Sequence, residues 1–317
     1  MAASHKGERA LIDWIRRCTA GDAATVAIGP GDDMARVRLG ETDALVTTDT
    51  LLEGTHFRLD TAGPRRVGYK ALAVSLSDCA AMAAEPVAAV AWVALPEGRD
   101  MAFAEALCAG ILDAAQRLAC PLAGGDVTSW TGGLAVGTSV VARSAGIEPV
   151  RRAGARPGDV LLVTGRLGGS GLGRHLEFVP RVAEARRLAR AARVHAMIDL
   201  SDGLSTDLLH LLREGGVGAE VDAPAVPVSP DARRAAETDG RTPLDHALSD
   251  GEDFELLLAV SAEDASRLAR ERPLGDLPLT AIGRIVEGGG AALLSADGTR
   301  RPLEPSGYEH FRGEGPA

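Results

Sequence analysis

Acidic residues in this chain recur where short apolar runs end, and glycine stands beside most of them. Asp32 and Asp33 lie in the glycine-rich stretch 28–33, and Asp49 closes the compact run Ala44-Leu45-Val46-Thr47-Thr48. Asp126 follows Gly124-Gly125, Asp199 and Asp202 bracket a strand-to-helix turn, and Glu252 and Asp253 follow Gly251 just before another apolar run. Glycine beside an acid at a strand end lets backbone and side-chain oxygens converge on one point. For a single Asp, an ordinary turn or helix cap explains as much. Repetition in both halves of the chain is what points to a shared site.

Between these turns, strand-like and helix-like segments alternate. Strands are expected over 44–48, 87–95, 134–142, 159–164, 197–200, 218–221 and 254–260, and helices over 7–20, 67–84, 100–119, from 205, 230–237 and 262–271. The alternation predicts an α/β or α+β fold. Gly146, Pro149, Gly154, Pro157 and Gly158 cluster at 145–158, so the chain is expected to divide into residues 1–148 and 149–317.

Several classes of function fall away. No apolar run is long enough to span a bilayer, and the charged N-terminus has no apolar core of a secretory signal. Cys18, Cys79, Cys108 and Cys120 form no C-x-x-C pair, which fits free thiols in a cytoplasmic protein. A net charge of −10 without a basic block argues against nucleic acid. Only Lys6 and Lys70 are lysine among the 34 basic residues, and neither lies in a P-loop motif. An acidic protein can still bind a polyphosphate when metal ions stand between them.

Magnesium takes hard oxygen ligands, usually one or two carboxylates with water and substrate phosphate. The acidic turns match that need. Asp78 strengthens it, because its helix is otherwise apolar and a lone buried carboxylate is costly unless paired or metal-bound. The loop Gly165-Arg166-Leu167-Gly168-Gly169-Ser170-Gly171 has the form of an anion cradle, with backbone N–H groups exposed. Arg151 and Arg152 are candidate phosphate partners, although linker arginines are ordinarily solvated. His56 reads equally as a substrate contact or as a turn residue against Phe57.

Taken in order, these motifs resemble the thiamine-monophosphate kinase family, within the superfamily of aminoimidazole-ribonucleotide synthetase and selenophosphate synthetase. The resemblance runs from about Gly7 to Phe311. Its more specific blocks are Thr47 to Phe57, Gly251-Glu252-Asp253-Phe254-Glu255 and Gly307-Tyr308-Glu309-His310-Phe311. The chain departs from the family pattern at Pro30, at Ser75, where Asn is more usual, and between Gly173 and His175, where a segment is shorter. The resemblance implies transfer of a phosphoryl group from ATP to thiamine monophosphate. It carries over Asp33, Thr47, Thr48, Asp49, Asp78, Asp126, Asp199 and Asp202 as ligands of several Mg²⁺ ions. Gly125, Asp126, Arg152 and Ser201 become nucleotide contacts, and His56, Glu252 and Tyr308 contacts to thiamine phosphate. It further implies two α/β domains, with the N-terminal strands of two copies pairing into a barrel and so a homodimer. We expect in-line transfer, with Thr47, Thr48, Asp49 and Asp126 on the donor side and Asp33, Asp78 and Asp199 nearer the acceptor. The alternatives are a superfamily enzyme with another acceptor, or a non-catalytic nucleotide-binding homologue. The chain lacks the N-terminal reactive cysteine segment and the cysteine-bearing tail of two such relatives.

Overall fold

The structure, a computed structural model, describes residues 8–19 and 24–308. The closing motif is therefore described only as far as Tyr308, and Glu309, His310 and Phe311 lie outside the described residues.

The first half builds a six-stranded sheet. Its elements in chain order are α1 (Glu8–Thr19), β1 (Val26–Ile28), β2 (Ala35–Leu39), β3 (Thr42–Leu52), α2 (Leu59–Ala81), β4 (Glu85–Pro96), α3 (Met101–Arg117), β5 (Leu122–Trp130) and β6 (Ala135–Arg143). The strand order is β1-β2-β3-β6-β4-β5, antiparallel except for the β4–β5 pair. Side chains alternate along a strand. On β3 the inward set Leu45, Thr47, Asp49 and Leu51 therefore faces the helices, while Thr48, Thr50 and Leu52 are exposed.

The second half builds a mixed seven-stranded sheet. It comprises β7 (Val160–Thr164), α4 (Val182–Ala191), β8 (Val194–Asp199), α5 (Leu204–Gly215), β9 (Gly218–Asp222), α6 (Pro230–Asp239), α7 (Pro243–Ser249), β10 (Leu256–Val260), α8 (Ala262–Glu271), β11 (Leu279–Val286), β12 (Gly290–Leu294) and β13 (Arg300–Pro302). The order is β13-β12-β9-β11-β7-β10-β8. One apolar core lies beneath α5 and α7, and another beneath α4 and α8.

Helix α2 joins the halves. A helix buried on all sides must be apolar all round, and nearly every residue from Val67 to Ala81 is buried. Its middle packs in the N-terminal core, and Ala80 belongs to the core under α4 and α8. Phe178 and Phe254 from the second half stack at 4.0 Å in the N-terminal core, and the Tyr69 hydroxyl donates to the Phe178 carbonyl (2.9 Å). The α2–α3 crossing brings backbones into contact, since a Cβ added at Gly110 would lie 1.8 Å from the Arg65 carbonyl oxygen.

The structure corrects four local readings. Asp49 does not end a strand, because β3 continues to Leu52 by pairing residue for residue with β6 (Asp49 with Thr138, Leu52 with Ala135). Asp126 lies within β5 and not in a turn. Helix α2 stops at Ala81, and Ala83 adopts a left-handed φ of 52°. Strands β1, β2, β5, β11, β12 and β13 and helices α4 and α7 were not expected. Most are short, and tertiary pairing stabilises them more than any periodic pattern of their own. Among the described residues, no helix is long and apolar enough to cross a membrane.

Gly110→Ala should destabilise the fold by about 2–3 kcal/mol, because backbone cannot give way to the new methyl group. Urea unfolding of the variant beside the parent checks this.

Candidate active site

Three elements deliver three carboxylates to one point. Asp33 comes from the turn after β1, Asp78 from the last turns of α2, and Asp199 from the end of β8. One oxygen of each lies within 4.8 Å of the others. Hydroxyl groups orient them. The Ser77 hydroxyl donates to Asp199 (2.6 Å), and that of Thr47 donates to Asp78. Arg152 donates to both Asp33 oxygens (2.6 and 3.2 Å), and Arg151 pairs with Asp32 (2.9 Å). Arg152 is therefore a built member of the site and not a solvated linker residue. Asp49 lies close enough for its charge to raise Asp78. Its Oδ2 is buried and, among the described residues, has no hydrogen-bond partner.

Like charges this close oppose ionisation in a dry site. Burial, then the charges of Asp49, Asp199 and Asp33, push the Asp78 carboxyl well above its ordinary range, against the pull of Thr47. Burial and then Asp33 raise Asp199 to about 7, with Ser77 and Arg152 opposing. Burial is also the largest cause for Asp49, eased by Ser75 and strengthened by Asp33. Asp207 is raised by burial and by Asp202 and Asp199, while it accepts the N–H groups of Asp202 and Gly203 (both 3.0 Å). A convergent hard-oxygen set with an orphaned buried carboxylate oxygen is what a divalent cation fits.

The cluster adjoins a cleft with two lobes. One, of about 340 Å³, is lined by Arg16, Asp32, Arg152, Ser201, Asp202 and Asp207, among others. The other, of about 510 Å³, is lined by Thr48, Asp49, His56, Ser201, Asp202, Glu252, Phe254 and Tyr308, among others. Ser201 and Asp202 are the wall both share.

Three distant motifs form that wall. The Glu252 N–H donates to the Ser201 carbonyl (2.6 Å), the Phe254 N–H to the Leu200 carbonyl (2.8 Å) and the Tyr308 N–H to the Asp202 carbonyl (3.1 Å). His56 reaches the larger lobe from the turn after β3, where its Nδ1 accepts the Leu52 N–H (3.0 Å).

Other expected residues are placed elsewhere. Thr48 lies on the outer face of β3, with its hydroxyl on Ser139 (2.9 Å), and meets only the rim of the larger lobe. Asp126 pairs across β4 and β6 with the Thr50 row, three strand spacings or roughly 14 Å from β3. The chain itself does not bring it to the cluster. Gly125 makes a close strand approach, since a Cβ there would lie 1.9 Å from the Ala91 carbonyl oxygen. Asp33, expected on the acceptor side, pairs with Arg152 of the smaller lobe, whereas Asp49 lines the larger one. A single cluster thus faces both lobes.

The glycine loop is not an open anion cradle. The Gly168 N–H donates to Asp253 (2.9 Å) and the Gly169 N–H to Asp250 (2.8 Å). Asp253 is further held by Arg174 (2.6 Å), so it is a structural carboxylate. Ser77 and Lys70 were missed as site residues. Their sequence signal was a polar side chain on an apolar helix, the signal that singled out Asp78.

Two α/β halves beside a shared acidic cleft place the chain in the AIR synthase related class. The AIR synthase related protein, N-terminal domain family matches residues 31–144, and its C-terminal domain family matches 156–294. A thiamine-monophosphate kinase from Rhodopirellula baltica is 39% identical over 311 residues, covering 96% of this chain and 97% of that protein. One from Mycobacterium tuberculosis is 35% identical, covering 92% and 88%. The solved structure of AaThiL complexed with AMPPCP and TMP aligns with a TM-score of 0.83 at 31% identity, over 98% of this chain and 99% of that one. The chain belongs to the thiamine-monophosphate kinase family.

In protein stripped of divalent cations, Asp199 keeps a proton that the unfolded chain releases near 3.8. Stability should therefore fall as pH rises from about 4 through about 7, and Asp199→Asn should flatten that slope. Melting curves in chelator at several pH values measure it.

Proposed function

We propose that this protein transfers a phosphoryl group from ATP to thiamine monophosphate, giving thiamine diphosphate. The observation that carries the reading is the single carboxylate cluster at a cleft whose two lobes share the wall Ser201-Asp202, in a chain of this family. The smaller lobe, with Arg152 and Ser201, suits the nucleotide, while the expected contacts Gly125 and Asp126 lie on the edge strand β5 outside its lining. The larger, with His56, Glu252 and Tyr308, suits the thiamine phosphate. A relative solved in complex with AMPPCP and TMP supports this pair of ligands.

Asp33, Thr47, Asp49, Asp78 and Asp199 would hold Mg²⁺, with Asp202 on the shared wall. Bound there, Mg²⁺ supplies the positive charge that offsets phosphate repulsion and the charge on the group in flight. Arg152 orients Asp33 and can meet a phosphate with the same guanidinium. Ser77 and Thr47 fix the carboxylates before substrate arrives, so little reorganisation remains. The acceptor is a phosphate oxygen, ionised near neutral pH, and His56 is not needed as a base.

We further propose a cytoplasmic homodimer, with residues 1–148 as the metal-binding, ATP-binding and dimerisation domain and 149–317 as the second domain. The N-terminal sheet ends on the open edge of β5 and exposes Val87, Val90, Val127, Trp130 and Val141. A second copy would cover both and pair the strands into a barrel. In that assembly Asp126 and Thr48 belong to the interface side of the cleft.

Incubation with ATP, Mg²⁺ and thiamine monophosphate should yield thiamine diphosphate and ADP. Its absence, or AMP release from free thiamine, refutes the reading. Asp49→Ala should lower turnover about a hundredfold or more while the fold survives. Val90→Glu with Val141→Glu should shift the protein to a monomer in light scattering.

A further inference from the structure

Lys70 is the only lysine among the described residues, where the other cationic side chains with fixed charge are arginine. It projects from α2 with its side chain fully enclosed. Its ammonium donates to the His56 carbonyl (2.7 Å) and pairs with the Glu252 carboxylate. Burial pulls its pKa below the ordinary lysine value, and Glu252 pulls the other way. Both of its partners border the 510 Å³ lobe, and Glu252 keeps 29% of its side chain exposed.

Glu252 also carries backbone strain. Its φ is 52°, and Phe254 two residues on has a φ of 50°. Non-glycine residues hold that conformation when their surroundings over-determine it, and such positions cluster at ligand clamps. Here the N–H to Ser201 fixes the backbone, and Lys70 fixes the side chain. A compact ammonium with three donors satisfies a carboxylate and a carbonyl at one enclosed point, where a planar guanidinium needs more room.

We propose that Lys70 is a positioning residue for the acceptor end of the cleft. One buried ammonium ties the Glu252 carboxylate and the His56 turn to the same point, and so sets the geometry in which the acceptor's cationic ring system is read. The smaller lobe, on the far side of Ser201-Asp202, is untouched by this tie. The inference rests on the reading of the larger lobe as the thiamine monophosphate site.

The test is steady-state kinetics of the full-length parent, Lys70→Met, Glu252→Gln and the double variant, varying thiamine monophosphate and ATP in turn. Lys70→Met should raise KM for thiamine monophosphate about tenfold or more, with KM for ATP within about twofold of the parent. In the Glu252→Gln background the same change should add little, because the two act as a unit. An unchanged KM for thiamine monophosphate overturns the proposal. So does a parallel rise in KM for ATP, which signals general loosening, or full additivity with Glu252→Gln. Should Lys70→Met fail to fold, Glu252→Gln alone is expected to give the same split, and a normal KM for thiamine monophosphate there overturns it. No turnover of thiamine monophosphate by the parent removes the function and this inference together. Normal parent turnover with an unaffected Lys70→Met removes only this inference.

Discussion

Mutual repulsion among Asp33, Asp78 and Asp199 is the constraint around which the molecule is built. Their oxygens lie within 4.8 Å in a largely buried site, and they come from a turn, a helix and a strand of different layers. The neutral hydroxyls of Ser77 and Thr47 hold Asp199 and Asp78 in place, and the one cation paired with the three among the described residues, Arg152, pairs with Asp33 alone. Asp199 near 7 and Asp78 well above its ordinary range record the cost of burial first and of that repulsion after it. A fold tolerates such a cost where function repays it, and the cations proposed to lie between a polyphosphate and a second phosphate would do so here.

The scaffold keeps this cluster rigid through α2. Because α2 is buried by both sheets, its polar residues are forced to choose partners across layers. Ser77 reaches β8, Asp78 reaches β3, and Lys70 reaches the 251–254 turn. The same turn is hydrogen-bonded to Leu200 and Ser201, and Tyr308 to Asp202. Motifs about fifty residues apart thus make one wall between the two lobes.

The strands that are continuous apolar runs, such as β7 and β10, were legible, as were most long helices. Expectation failed where pairing or packing overrode local pattern. Asp49 looked terminal because Thr and Asp end an apolar run, yet β6 carries the strand on to Leu52. The glycine loop looked open, yet Asp250 and Asp253 occupy its N–H groups. Asp126 belonged on the list of acids, but its strand is an edge strand, three spacings from the cluster.

By itself the sequence determined the residue types at the site, the mixed α/β class and the family. Carboxylates beside glycine, repeated in order, are a local chemical pattern and need no contacts to be read. Only the tertiary structure decided which acids meet, which face of β3 each threonine takes, and that Lys70 joins His56 to Glu252. Those depend on strand register and on a helix enclosed from all sides, and neither register nor enclosure is written in any single segment.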